Sequence, residues 1–167
     1  MRIRAEQVRD RSAVRAVNES AFDTRAEADL VENLHAQAVP VISLVAEEAG
    51  SVVGHILFSP VDLPDHPGLK VMGLGPVAVV PEHQRKGIGS ALVRAGLDRC
   101  RRTGVGAVVL VGHPEYYPRF GFAPGAEFGI RCDYDVPDEA FMALELQPGY
   151  LKDASGVVKH HEAFDDV

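Results

Sequence analysis

Residues 77–92 run from a β-favouring apolar segment, through a polar turn, into the glycine-rich start of a helix. Val77, Ala78, Val79 and Val80 suit a buried strand. Pro81 has no N–H to give a ladder and ends that strand. Glu82, His83, Gln84, Arg85 and Lys86 form the turn, and Gly87-Ile88-Gly89 opens a helical pattern that continues through Ser90, Ala91 and Leu92. The first amides of a helix have no partner inside it and sit at the positive end of its dipole. With glycine at two of these positions, and Arg85 and Lys86 beside them, the helix mouth suits an anion such as a pyrophosphate. The plainer alternative is an ordinary strand-to-helix junction that uses glycine for a tight turn.

The spacing excludes two common phosphate-binding patterns. No Gly-Lys-Ser/Thr closes a P-loop, and Ser90-Ala91-Leu92 leaves the dinucleotide fingerprint without its third glycine. Gln84-Arg85-Lys86-Gly87-Ile88-Gly89, between an apolar strand and an Ala-Leu-Val helix, instead resembles the Gln/Arg-x-x-Gly-x-Gly/Ala motif of the GNAT family of N-acetyltransferases. The resemblance implies an α+β fold: a central mixed, mostly antiparallel sheet, splayed between its fourth and fifth strands and flanked by helices. It implies acetyl-CoA as cosubstrate. The pyrophosphate would lie on Gln84, Arg85, Lys86, Gly87, Ile88, Gly89 and Ser90, and the pantetheine arm would pair with Val77, Ala78 and Val79.

At 167 residues the chain is expected to form a single N-acetyltransferase domain over residues 1–167, long enough for a substantial core. A net charge of −7 argues against a general nucleic-acid binder and is compatible with a cationic amine substrate. Two cysteines, Cys100 and Cys132, do not make a disulfide framework. The first residues carry no apolar signal segment, and no apolar run approaches the roughly 20 residues of a membrane span. A cytoplasmic protein with neither a nucleic-acid nor a membrane partner is expected, with a homodimer left open.

Along the chain, residues 2–8 read as a first strand. Asp10 or Ser12 could cap a helix to about Ala21, with Val14, Val17 and Ala21 on one face. Thr24 and Glu27 have capping-box spacing before a second helix with Ala28, Val31, Leu34 and Ala38 inward, ended by Pro40. The β-rich runs 41–48 and 52–59, separated by Ala49-Gly50-Ser51, predict a hairpin. Residues 60–69, with three prolines, are a loop. In the strand 71–80, Gly73, Gly75 and Pro76 point to a bulge or a close backbone approach. The clearest helix spans 88–102, with Ile88, Leu92, Val93, Gly96, Leu97 and Cys100 on its apolar face and Gly104 as its cap. Residues 107–111 form an interior strand, and the strand–helix–strand order implies parallel pairing.

A second informative stretch is Gly112-His113-Pro114-Glu115-Tyr116-Tyr117-Pro118-Arg119-Phe120-Gly121-Phe122. Tyr117, four residues before Gly121-Phe122, matches a Tyr-x-x-x-Gly-Phe pattern of the same family. The wording here, and the tail 141–164 with its Leu-Glu-Leu-Gln-Pro-Gly segment, is similar to the subgroup called YhbS-like. One departure stands out: where many relatives have an asparagine, this chain has Leu110. The resemblance implies direct attack by a neutral primary amine of a small molecule or peptide on the thioester in a ternary complex. Tyr117 is then the catalytic candidate, beside the leaving sulfur, with Tyr116 a weaker substitute; the alternative is that Tyr117 packs on Phe120 and Phe122.

No general base is legible. Glu19, Glu27, Glu47, His55, His83 and His113 are candidates, and water could serve instead. Cys132 as an acyl carrier is disfavoured, since no basic partner is visible for either cysteine. His66, His160 and His161 lack ligand spacing to other His, Cys or carboxylates, so no metal site is expected. Asp133, Asp135, Asp138 and Glu139 form an acidic cluster that reads more simply as a solvated loop than as an ammonium site. Two other functions remain open from sequence: a catalytically silent acyl-CoA-binding or sensing module, and a binder of another phosphate ligand such as a nucleotide.

Overall fold

The computed structural model describes residues 1–166. The order of elements is β1 (Arg2–Ala5), α1 (Arg11–Ala21), α2 (Ala26–Gln37), β2 (Ile42–Glu48), β3 (Ser51–Pro60), β4 (Val71–Val79), α3 (Ile88–Arg102), β5 (Ala107–Val111), β6 (Ala123–Pro124), β7 (Ile130–Cys132), β8 (Phe141–Glu145) and β9 (Gly156–Val158), with short 3-10 turns between. Hydrogen bonding links seven strands in the order β1-β2-β3-β4-β5-β8-β6, and β7 and β9 form a separate pair. β4 and β5 run parallel. The other registered pairs of the seven-stranded sheet are antiparallel, which makes it the mixed, mostly antiparallel α+β sheet expected from sequence.

Contacts divide the chain into two compact units. One contains residues 1–59, 75–99 and the C-terminal segment from Glu162. Its hairpin turns through Ala49 (φ 51°) and Gly50 (φ 83°), two left-handed residues of the kind that match the twist of paired strands. Helices α1 and α2 bury Val14, Leu30, Val31 and Leu34 with Val45 and Leu57 of the hairpin. Arg15 joins the two helices through Asp29 at 3.0 Å and Glu32 at 3.1 Å. Helix α3 has the boundaries its apolar period predicts, and Ile88, Leu92, Val93, Leu97 and Cys100 are all buried. Two glycines set its approach to the hairpin. A Cβ at Gly54 would stand 3.0 Å from Leu92 and 3.1 Å from Ile88, and one at Gly96 would stand 2.2 Å from the ring of fully buried Phe58.

The second unit contains residues 60–74 and 100–161. Its parallel ladder runs from Val71↔Ala107 to Gly73↔Val109, and residues 74–79 of β4 lie beyond it. Its core joins Val61, Val71, Val109, Ile130, Phe141 and Leu151. Tyr150 fills the space a side chain at Gly106 would need and accepts the Lys70 N–H on its hydroxyl at 2.6 Å.

The first strand is shorter than the sequence pattern suggests. It stops at Ala5, and Val8–Asp10 form a 3-10 turn. Asp10 does not cap α1 with its side chain. Its carboxylate instead accepts the Gln7 N–H at 2.7 Å and two bonds from Arg4, and the Arg4 guanidinium, ahead of the opposing effect of burial, holds it below the usual aspartate range. Thr24 accepts the Ala26 N–H at 3.2 Å and meets Glu27 at 3.4 Å, in place of the reciprocal box its spacing suggests. The tail strands β6–β9 are too short, at two to five residues, to show a period in sequence. Among the described residues, no helix is long and apolar enough to cross a membrane.

Candidate active site

The second half of β4 brings Val77, Ala78 and Val79 to the turn, with Ala78 buried and its neighbours half-buried. Val80 donates its N–H to Val53 O at 2.9 Å, which ties the end of the strand to β3. Pro81–His83 form a single 3-10 turn. Gln84 then folds its side chain back, donating from Nε2 to Val79 O at 2.9 Å. That bond fixes the turn against the strand, while Arg85, Lys86 and Gly87 stay exposed. Arg85 (φ 64°) and Gly87 (φ 85°) are both left-handed, an arrangement in which successive amides can converge on one anion.

Helix α3 begins at Ile88, and the Ala91 N–H is bonded to Gly87 O at 3.0 Å, so Ile88 and Gly89 present their amides ahead of the helical ladder. Nothing lies within 4 Å of a Cβ position at Gly87, and at Gly89 the nearest atom is a Val79 methyl at 3.9 Å. Gln84, Arg85, Lys86 and Gly87 are exposed, Gly89 and Ser90 half-buried, and Ile88 is buried at 5% exposure, anchoring the helix start. The mouth is open, positively charged at its rim and lined by backbone.

In the second unit, Tyr117 begins a 3-10 turn, Tyr117–Phe120, that Gly121 closes in a left-handed conformation (φ 101°). Its ring meets Tyr116 and Phe122 edge-on, with centroids 5.0 and 5.8 Å apart. Gly112 allows this packing, because a Cβ there would lie 2.5 Å from the Tyr117 ring. Burial, with a smaller push from Tyr116, raises the Tyr117 hydroxyl to about 12. Among the described residues that hydroxyl has no hydrogen-bond partner. Leu110 is buried at 2% exposure opposite Met142 on β8 and offers no polar side-chain atom.

Most candidate bases are engaged in structural roles. Glu19 pairs with Arg15 and Arg25, Glu47 with Arg4, and Glu27 with Thr24. His55 is fully buried in a polar network that sequence reading missed. Its Nδ1 lies 3.3 Å from the Asn18 amide and its Nε2 2.8 Å from the Ser43 hydroxyl. Ser43 donates to Glu6, which His35 also reaches at 3.0 Å. Burial holds His55 below its ordinary value against the opposing pull of Glu6. The Asn18 amide nitrogen, a donor, faces Nδ1, and Ser43 already donates to Glu6, so His55 is not placed to take a proton from Ser43. Burial raises the Cys100 thiol to about 12 and also raises that of half-buried Cys132, which disfavours either as an acyl carrier.

An open cleft of about 630 Å³ lies on the first unit, lined in part by Ala13, Ala16, Val17 and Val52 and reaching Val80 and Glu82 just before the glycine turn. Arg4 and Arg9 on its wall are offset by Asp10, Glu47 and Glu82, so its charge selects no ligand class.

A mixed, mostly antiparallel sheet with one parallel pair, beside an open glycine-lined helix mouth, defines an α+β protein. The family model of the acetyltransferase (GNAT) family matches residues 6–122, and the chain belongs to that family. It is 35% identical over 166 residues to the uncharacterized N-acetyltransferase YhbS of Escherichia coli strain K12, covering 99% of each chain. Its fold is similar to the crystal structure of the E. coli GNAT family N-acetyltransferase YhbS in complex with CoA, with a TM-score of 0.92 and 34% identity over 98% of this chain and 91% of that one. It is also similar to a GNAT family acetyltransferase of Brucella melitensis in complex with acetyl-CoA, with a TM-score of 0.79 and 37% identity over 98% and 97% of the two chains.

Proposed function

We propose that residues 1–167 act as one N-acetyltransferase domain that moves the acetyl group of acetyl-CoA to a primary amine of a small molecule or peptide. The observation that carries this reading is the open mouth of α3. Gly87 has no atom near its Cβ position, and Gln84 is tied back to Val79 at 2.9 Å. The amides of Ile88, Gly89 and Ser90, with Arg85 and Lys86 at the rim, hold the pyrophosphate. Val77, Ala78 and Val79 offer backbone groups to the amide-bearing pantetheine arm. The CoA and acetyl-CoA held by the two similar crystal structures support this choice of cofactor.

The thioester is already activated, so the amine attacks its carbonyl directly. The ammonium first gives one proton to water; the neutral nitrogen then bonds to the acetyl carbon, gives its second proton to water, and the carbon–sulfur bond breaks to release the thiolate. Tyr117 donates a hydrogen bond to that sulfur. A phenol at about 12 makes full proton transfer to a thiol of ordinary acidity, near 8.5, uphill by about 5 kcal/mol. Tyr117 therefore stabilises the leaving group as a hydrogen-bond donor, and solvent supplies the final proton. The reaction uses neither a metal nor an enzyme nucleophile.

Titration calorimetry with acetyl-CoA, followed by thiol release across amines, amino acids, polyamines and aminoglycosides, tests the reading. Binding of acetyl-CoA with amine-dependent thiol release is expected. Binding with no release under any amine would assign the chain as a silent acyl-CoA-binding module, and failure to bind would remove the cofactor assignment altogether.

A further inference from the structure

The parallel pair β7–β9 brings together side chains that lie far apart in sequence. Its register matches Ile130 with Gly156 and Cys132 with Val158. Just beyond the paired residues, Asp133 and His160 meet. The His160 Nδ1 stands 2.9 Å from Asp133 Oδ1, and the His160 N–H bonds to Asp133 Oδ2 at 3.2 Å. Cys132 Sγ lies 3.8 Å from the same Oδ1. Sulfur, oxygen and nitrogen ligand atoms thus converge within 4.8 Å of one another. Spacing along the sequence does not show this grouping, because strand pairing brings His160 to Asp133 across 27 residues.

We propose that Cys132, Asp133 and His160 form a binding site for a zinc-class divalent cation that fastens the segment after β9 to the end of β7. Mixed thiolate, imidazole and carboxylate ligation suits zinc, which takes four ligands in a tetrahedron. With bonds of about 2.0–2.3 Å, such a centre sets sulfur and oxygen about 3.5 Å apart, and nitrogen and oxygen about 3.3 Å apart. The observed 3.8 and 2.9 Å are each within a few tenths of an ångström of those separations. Outer contacts already orient the ligands. The Tyr134 N–H points to Cys132 Sγ at 3.4 Å, and the Tyr134 ring stacks on His160 at 5.4 Å between centroids.

The site is built into the fold. The His160 side chain is 7% exposed and that of Asp133 22% exposed, and the strands that end there carry Ile130 and Val158 into the core. On binding, the Cys132 S–H bond breaks, its proton goes to solvent and a sulfur–metal bond forms. His160 binds through a neutral ring nitrogen, and nothing is oxidised or reduced. Water takes the fourth position. A ladder only three residues long gains most from a cross-link at its end.

Cobalt substitution tests this on the full chain without an affinity tag. One Co²⁺ per chain is expected to bind with a sulfur-to-metal charge-transfer absorption, which one equivalent of Zn²⁺ then abolishes. Cys132→Ser, nearly isosteric, should lose that absorption, and His160→Ala should weaken Zn²⁺ binding by at least about tenfold in a chelator competition. No charge-transfer absorption in the unmodified chain, or one that persists in Cys132→Ser, overturns the proposal. Neither readout depends on catalysis, so it stands or falls independently of acetyl transfer.

Discussion

At the level of single residues, Tyr117 separates chemistry from packing. Its hydroxyl has no partner among the described residues, whereas its ring meets Tyr116, Phe120 and Phe122. Tyr117→Phe keeps those ring contacts and removes only the donor. We expect kcat to fall by about 10²–10⁴ with the KM for acetyl-CoA and the melting temperature nearly unchanged. An undiminished kcat takes Tyr117 out of the mechanism and leaves it a packing residue. Gly96 gives the complementary case, in which a small residue serves the fold alone. A methyl there meets the Phe58 ring at 2.2 Å, and Phe58 is fully buried. Overpacking costs about 1–3 kcal/mol, more than the better helix propensity of alanine returns. Gly96→Ala should lower unfolding free energy in urea by roughly that amount, and pairing it with Phe58→Leu should recover part of the loss. Full additivity of the two substitutions would show that the contact is not the cause.

Among elements, the polar cluster shared by α1, α2, β2, β3 and the residue after β1 ties stability to pH. Burial alone would raise the Glu6 carboxyl, but bonds from His35, His55 and Ser43 outweigh it and hold it well below the usual carboxylate range. Burial holds His55 down as well. Both shifts have the same sign in linkage. As pH falls below about 6.5, the unfolded chain takes up a proton at His55 that the folded chain refuses; below about 4.5 the same holds at Glu6. Unfolding free energy should therefore drop from pH 7.5 to 5.5, by at most about 1.4 kcal/mol per pH unit for one proton, and more steeply below about 4.5. A rise over the first interval would mean that the fold welcomes a proton on His55. None of this was legible in sequence, because the five side chains come from five places and only the hairpin register sets His55 against Val45 and Ser43 against Leu57. Helix α3 was legible at both ends, since its apolar face repeats for fifteen residues and Gly104 follows it at φ 85°. The glycine turn before α3 was legible for the same reason: its open backbone follows from Gly87 and Gly89, which are local in sequence. The tail was not, because β7 and β9 are three residues each and take meaning only when paired.

For the molecule as a whole, net charge sets opposite conditions for the two proposed substrates. The chain carries −7 at neutral pH, acetyl-CoA is a multiply charged anion, and a primary amine acceptor arrives as a cation. At a separation of about 20 Å, a net charge of −7 and one unit charge interact by roughly 0.7 kcal/mol at 0.01 M salt and about 0.1 kcal/mol at 0.15 M, where the Debye length has shrunk from about 30 to 8 Å. That difference is about threefold in encounter for each unit of ligand charge. In the proposed binding mode Arg85 and Lys86 lie beside the pyrophosphate, inside the Debye length at either salt, so screening removes the long-range repulsion before it removes their attraction. Raising salt from 0.01 to 0.15 M should therefore raise kcat/KM for acetyl-CoA while lowering it about threefold for a singly charged amine, and further for a polyamine. The opposite signs are the informative result, since viscosity or a general loss of stability would move both substrates the same way. A parallel fall for both would mean that the positive rim of the helix mouth governs the approach of acetyl-CoA from a distance, and the acidic surface would then have no part in selecting a cationic acceptor.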